Sequence, residues 1–488
     1  MFDVVSPDSV SMDSAQLGRV SEHLGKYYLE PGKISGSVTL VARRGQVCLL
    51  DVQGYRDVER ALPMTADSIM RIYSMTKPIT SLAMMTLHEK GLFSLDDPVH
   101  RFIPGWRDLP VWKTGSYPLF ETVPARRAMT IRDLFMHTSG ITYDFLRDSN
   151  IDYAYRKAGV GRPRLGYTLQ QMIDELAQMP LLFSPGDRWN YSLSTDVLGY
   201  LIEILSGQSL PDYLRTTIFE PLGMHDTCFE IPADKVDRFA SCYTRNMEKG
   251  MDLTDDARSS EFAERTFYSG GGGLLSTDVL GYLVEILSGQ SLPDYLRTAI
   301  FEPLGMHDTC FEIPADKVDR FASCYTRNME KGMDLTDDAR SSEFAERTFY
   351  SGGGGLLSTA GDYYRFCQML LGGGTRDGVR IIGSRTLDYM TRNHLPGGAD
   401  MGAFATGSFS EAAYEGVGFG LGFASTIDPI GNGHPVSPGI YFWGGLASTL
   451  FWVDPAEEMV VIFMTQLIPS RTFNFRGQLE NIIYGALN

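Results

Sequence analysis

Hydrophobic residues recur at helical spacing through Leu17, Val20, Leu24, Tyr27 and Tyr28, with polar residues between them. That spacing predicts an amphipathic helix over 11–28, stopped by Pro31-Gly32. The period then changes. Residues 38–42 and 47–52 are rich in β-branched side chains and flank Arg43-Arg44-Gly45-Gln46, which predicts a β-hairpin. From Thr76 to about Leu182 helix patterns and loops dominate, with stops such as Gly91 and Pro104-Gly105. Strand-like runs return after Gly378, at 420–426, 440–453 and 459–465, before a last helix over about 477–487. Strands at both ends around a helical middle predict an α+β architecture, one sheet assembled from both termini with an inserted helical unit. The division is 1–66 with 378–488 for the sheet and 67–377 for the mostly helical part.

Within that middle the sequence repeats itself. Residues 195–276 reappear as 277–358, an 82-residue tandem copy that differs only at Ile202/Val284 and Thr217/Ala299. Solenoid repeats keep a sparse signature over several copies, whereas these two are nearly identical and nothing repeats outside them. One copy therefore belongs to the fold and the other is surplus. Each copy opens with a buried-helix pattern over 196–206, closed by Gly207 in the first, and carries a polar, acidic stretch, 245–265 in copy one. A chain leaving the native path at a surface position exposes least, so the crossover is expected near 250, with the spare unit running from near 250 to near 332.

Composition narrows the classes. The chain of 488 residues holds 43 Lys and Arg against 60 Asp and Glu, a net charge of −17, without any basic block. That balance disfavours nucleic-acid or anionic-membrane partners. No stretch approaches the roughly 20 uncharged apolar residues of a membrane span. The first residues lack a basic region followed by an apolar one, so the expected location is cytoplasmic. The 6 Cys form no C-x-x-C pair, which indicates neither a disulfide framework nor a metal site. No cofactor is implied.

Three segments can carry chemistry. Ser74-Met75-Thr76-Lys77 stands immediately before the apolar run Ile79, Leu82, Ala83, Met84, Met85 and Leu87, and so begins a helix. Positions i and i+3 share a face, which brings the Lys77 amine beside the Ser74 hydroxyl, where a neutral amine takes a proton and the helix N-terminus favours developing negative charge. Alone, the spacing equally suits an N-cap serine with a solvated lysine. Tyr191, in Pro185-Gly186-Asp187-Arg188-Trp189-Asn190-Tyr191-Ser192, can relay a proton to a leaving group; alone it suits a packed loop aromatic. Tyr441-Phe442-Trp443-Gly444-Gly445-Leu446 reads as a strand interrupted by two glycines, which suits close approach of another group and an oxyanion bound by backbone N–H.

Together, in this order, these segments resemble the serine β-lactamase and penicillin-binding-protein superfamily, and within it the family VIII carboxylesterases. Arg132-Asp133-Leu134-Phe135-Met136-His137-Thr138-Ser139-Gly140 and Phe451-Trp452-Val453-Asp454-Pro455 support the likeness, which spans nearly the whole chain once one copy is removed. It implies a β-lactamase/transpeptidase-like fold with an antiparallel sheet. By position it makes Ser74 the nucleophile, Lys77 and Tyr191 the general-base pair, and the N–H groups of Ser74 and Leu446 the oxyanion hole. Trp443, Gly444, Gly445 and Leu193 become substrate-binding positions, and His137 a structural one.

Two departures set the expected substrate. Penicillin-recognising enzymes carry Y-x-N and K-T-G, whereas Leu193 and Trp443-Gly444-Gly445 stand here. Those polar groups read a β-lactam, and a site without them cannot select for one. The expectation is a serine esterase acting on short-chain carboxylic esters through an acyl-enzyme, with weak or no β-lactamase activity. The alternative within the class is an acyltransferase onto a hydrophobic alcohol. The alternative outside it is a non-catalytic scaffold or binding protein, with the duplicated segment as its assembly surface and a homo-oligomer as its product. No G-x-S-x-G or H-E-x-x-H occurs, which disfavours an α/β-hydrolase or a metal hydrolase.

Overall fold

The computed structural model describes residues 3–58, 60–161, 168–195, 197, 239–240, 244–246, 250–252, 295–310, 317, 320–322, 324–328, 332–337, 353–354, 356–406 and 413–488. Its largest element is a sheet of 8 strands. Three come from the N-terminal part: β1 (Gly36–Arg43), β2 (Gln46–Asp57) and β3 (Leu62–Pro63). Five come from the other end: β4 (Val417–Phe419), β5 (Ala424–Thr426), β6 (Tyr441–Gly445), β7 (Thr449–Asp454) and β8 (Met459–Met464). The order is β4-β5-β6-β7-β8-β1-β2-β3, and every pairing is antiparallel. The two ends of the chain meet where Val38 pairs with Met464 and Arg43 with Met459.

Every residue of β1, β7 and β8 is buried. Strands covered on both faces read as apolar runs rather than alternations, which is why Met459-Val460-Val461-Ile462-Phe463-Met464 shows no period of two. Helix α1 (Ser14–Leu24) packs along α4 (Phe475–Tyr484). Helix α2 (Thr76–Glu89) is buried from Thr76 to Leu87, with Pro78 in its first turn where no intrahelical N–H bond is lost. Helix α3 (Ala360–Leu371) lies against β1, β7 and β8, and Tyr364 donates to the Gly45 carbonyl at 3.4 Å. No described helix is long and apolar enough to cross a membrane.

The strand expected over 420–426 is confined to Ala424–Thr426, and the structure departs further from the sequence reading at three places. A hairpin of Val111–Ser116 and Leu119–Val123 stands inside the supposedly helical middle. The 440–453 run is two strands rather than one broken strand: the glycines stay within β6, and the reversal falls at 446–448, where Ser448 has a φ of 63° and its N–H donates to the Gly445 carbonyl at 2.9 Å. The third departure concerns the duplication. Tyr295, Leu296, Ile300, Phe301, Leu304 and Met306, all in copy two, are buried in the main core, and Cys310, also buried, bridges Leu357. Copy two therefore already fills the core from residue 295, not from near 332, which corrects the expected crossover near 250. The physical reason is continuity: Leu357–Ser358 pairs with Met70–Arg71 and leads directly into α3, so the segment attached to it closes the shorter loop.

Copy one contributes Thr195, Val197 and Ala240 to the buried interior. Its Phe239–Ala240 pairs in parallel with the equivalent Phe321–Ala322 of copy two. The polar stretch forms one hairpin from Thr244–Asn246 and Gly250–Asp252, and copy two forms the matching one from Cys324–Asn328 and Gly332–Asp337. The helix expected over 196–206 lies outside the described residues except for residue 197.

Candidate active site

Ser74 sits in the tight turn Tyr73–Met75 that runs straight into α2. Tyr73 adopts a φ of 41°, a conformation that bulky residues avoid and that swings the chain into the helix. The turn is held from outside: Tyr363 donates to the Met75 carbonyl at 2.9 Å, and the Leu356 N–H donates to Thr76 Oγ1 at 3.1 Å. One turn into the helix, Lys77 Nζ lies 3.3 Å from Ser74 Oγ. Tyr191 reaches in from its loop and its hydroxyl donates to Ser74 Oγ at 2.7 Å. All three side chains are nearly inaccessible to solvent, at 3%, 2% and 1% exposure. Electrostatic and hydrogen-bonding effects gain strength in so dry an environment.

Lys77 donates to the Gly353 carbonyl at 2.8 Å, and its amine lies 4.8 Å from the centre of the Tyr191 ring and 5.9 Å from that of Tyr143. Two aromatic faces and a carbonyl thus fix the amine against the serine. The Gly353 carbonyl is a partner that sequence reasoning missed. Its signal was the glycine run Gly352-Gly353-Gly354-Gly355, but the same run occurs at Gly270-Gly271-Gly272-Gly273, and nothing local distinguishes the two.

Strand β6 reaches the same neighbourhood. Gly445 lies so close that a Cβ there would stand 2.2 Å from the Ile72 carbonyl oxygen, and Thr449 donates to that same oxygen at 3.3 Å. Glycine is required by this approach. The following turn, which carries the Leu446 N–H, is pinned by Ser448, whose hydroxyl donates to the Leu467 carbonyl at 2.7 Å, and by the Leu467 N–H on the Ala447 carbonyl at 3.0 Å. Trp443 is fully buried with its ring 5.8 Å from that of Tyr191. Gly444 borders a cavity of about 370 Å³ between β6, β7 and the start of α4, where Arg476 donates to the Trp443 carbonyl at 2.7 Å. Leu193 is buried, with its N–H on the Thr142 carbonyl at 3.3 Å, and it packs in the core.

His137 is buried beside Tyr191, with ring centres 5.0 Å apart. Burial, and after it the Lys77 ammonium whenever that amine is protonated, hold its imidazole well below the usual range for histidine. What the arrangement offers is a hydroxyl with a proton acceptor on one side and a hydroxyl donor on the other, facing a strand end stripped of side chains.

Two stretches of the chain, 24–278 and 275–480, match the Beta-lactamase family model, so that the match is made twice and changes over where copy one meets copy two. Over 464 residues, 94% of this chain and 93% of the relative, it is 26% identical to Esterase EstB of Burkholderia gladioli. The fold is similar to EstCE1, described as a hydrolase with promiscuous acyltransferase activity, with a TM-score of 0.65, 22% identity and coverage of 98% of each chain. It is also similar to Simvastatin Synthase (LovD) from Aspergillus terreus, with a TM-score of 0.65, 20% identity and coverage of 96% and 98%.

Proposed function

The chain belongs to the Beta-lactamase family, and from that premise we propose that it is a serine esterase, hydrolysing short-chain carboxylic esters through an acyl-enzyme on Ser74. The observation that carries this reading is the buried triplet: Tyr191 OH at 2.7 Å and Lys77 Nζ at 3.3 Å from one serine oxygen. The likeness to Esterase EstB supports it. Ser74 Oγ attacks the ester carbonyl while neutral Lys77 takes its proton. Tyr191 passes its hydroxyl proton to the departing alkoxide and is reprotonated by Lys77. Water repeats the steps in reverse and frees the acid. The N–H groups of Ser74 and Leu446 are the donors for the carbonyl oxygen as it becomes negative. Because Lys77 must be neutral to begin, activity falls as pH falls.

Trp443 and Gly445 form the wall against which the ester lies, while Gly444, between them on the strand, faces the opposite side of the sheet, toward α4. Leu193 and Trp443 supply no amide or cation for a lactam, so esters are the better substrates. Acyl transfer to an alcohol is the second reading, supported by the fold likeness to a synthase and to a hydrolase with transferase activity. The test is turnover of p-nitrophenyl butyrate, with and without added butanol, by the wild type and Ser74→Ala. Loss of turnover in S74A is expected, with a phosphonate labelling Ser74 of the wild type as a phosphonyl-serine and leaving S74A unlabelled; undiminished turnover sinks the reading. Nitrocefin cleavage as efficient as ester cleavage would overturn the substrate preference.

A further inference from the structure

Beneath Tyr191 runs a chain of hydroxyls, Ser192 to Ser194 to Ser139, with His137 at its Ser192 end. Ser192, the next residue, donates its only hydroxyl hydrogen to Ser194 Oγ at 2.7 Å and accepts the Ser194 N–H at 3.2 Å. His137 Nδ1 lies 3.2 Å from that same Ser192 oxygen. A hydroxyl has one hydrogen, and this one is used, so the imidazole must be the donor: Nδ1 carries the proton. The other nitrogen, Nε2, lies 3.2 Å from Thr195 Oγ1, and Thr195 then donates to it. Ring and chain complete the grip. The His137 carbonyl accepts the Asn190 N–H at 2.9 Å, and its ring packs on Trp189 and Phe419 as well as on Tyr191. His137 itself holds a φ of 55°, a conformation that side chains rarely adopt and that the surrounding contacts must maintain.

We infer that His137 is a positioning residue: a neutral imidazole, protonated on Nδ1, that holds the 190–195 turn so that the Tyr191 hydroxyl meets Ser74 Oγ. It grips the turn on both sides of Tyr191, through Asn190 before it and Ser192 and Thr195 after it. The inference rests on the reading of Ser74, Lys77 and Tyr191 as the reacting groups. It also goes beyond a merely space-filling histidine, because a space-filler needs no particular tautomer.

Two measurements test it. With histidine labelled by ¹⁵N in the ring, the His137 signals, identified by their absence in His137→Asn, should show a protonated Nδ1 and a bare Nε2, unchanged from about pH 8 to about pH 5.5, across the ordinary histidine range. A proton on Nε2, or titration within that window, overturns the assignment. The second measurement is kinetic. H137F keeps an aromatic ring but no donor, whereas H137N keeps a donor at the place of Nδ1. Misplacing a catalytic group by about 1 Å costs on the order of 10²-fold, so kcat should fall about 100-fold in H137F with KM changed less than about threefold. H137N should recover about tenfold of that loss, with the acidic limb of its pH–rate profile where the wild type has it. Equal activity in the two variants, or a shifted limb, would count against positioning through Nδ1. Should both variants fail to fold, the wild-type spectrum still decides, with the His137 signals assigned by replacing the other 7 histidines one at a time. The same spectrum recorded on S74A separates a failure of this inference from a failure of the serine mechanism.

Discussion

The candidate site has two halves of different kinds. Ser74, Lys77 and Tyr191 occur in segments present once in the chain, whereas the Gly353 carbonyl and the Leu356 N–H that brace them come from a segment present twice. In the single-copy half, local sequence leaves little freedom: helix spacing alone sets Lys77 beside Ser74. In the doubled half local sequence is silent, because copy one offers the same residues in the same order. Covalent attachment breaks the tie. Tyr191 leads into copy one and α3 follows copy two, and among the described residues the buried interior takes Thr195, Val197 and Ala240 from the first and much of 295–310 with 356–358 from the second. Where both copies are described, Phe239–Ala240 lies beside its twin Phe321–Ala322, so identical segments take different places for reasons external to both.

The contrast can be broken most severely in the single-copy half, which has no substitute. Lys77→Ala and Tyr191→Phe should each lower kcat by about 10²–10⁴-fold, the range of a lost acid–base group, while KM moves less. Steady-state kinetics on p-nitrophenyl butyrate reads this, and a K77A variant at near wild-type rate would remove lysine from the mechanism.

Next in size comes a lesion in the doubled half. Asp308 of copy two is buried and forms ion pairs with Arg320 and with Lys317, the latter at 3.3 Å. Removing one member of such a buried cluster costs about 3–5 kcal/mol. Asp308→Ala should therefore lower the midpoint of urea unfolding markedly, and by more than Asp226→Ala, the same change in copy one. Equal losses would show that both copies fill equivalent core positions.

A gentler operation removes the duplication itself. Deleting residues 277–358 joins copy one directly to Thr359 and restores the same local sequence around the glycine run. The shortened protein should keep esterase activity within about tenfold and be at least as soluble, with any change mainly in oligomeric state, as read by sedimentation. A deletion variant that folds by circular dichroism yet has no activity would show that both copies build the site.

The smallest effect concerns pH and stability. Folded His137 resists protonation, while in the unfolded chain it titrates near its ordinary value of about 6.5. Below that pH the unfolded state therefore binds the extra proton, and this contribution to stability falls as pH falls, by at most about 1.4 kcal/mol per unit. Denaturation at pH 7.5 and 5.5 should show a smaller pH dependence in His137→Asn than in the wild type, and an unchanged slope would contradict a buried neutral imidazole.

How much of this was legible in advance varied with the range of the interactions. The hairpin of β1 and β2, the terminal helix and the last strands follow from period and composition, since burial on both faces writes itself into Val460, Val461, Ile462 and Phe463 as an unbroken apolar run. The hairpin at 111–123 was missed because it is short and mostly solvent-facing, and Leu119 at its turn is 81% exposed, so no buried face imposes a period. The glycines of β6 were recognised as a close approach, but the group approached, the Ile72 carbonyl, is hundreds of positions away in the chain and was invisible.

Sequence by itself determined the chemistry on offer: a serine and a lysine one helical turn apart, a tyrosine on a turn, a strand end without side chains, and an acidic chain carrying one segment twice. Tertiary structure alone decided that Tyr191 donates to Ser74, that the Gly353 carbonyl receives a Lys77 hydrogen bond, and that His137 packs beneath the tyrosine. The division has a physical cause. Spacing along one helix is set by backbone geometry within a few residues, whereas the choice between equal sequences depends on which one the chain can bring into the core with the shorter closure, a property of the whole path.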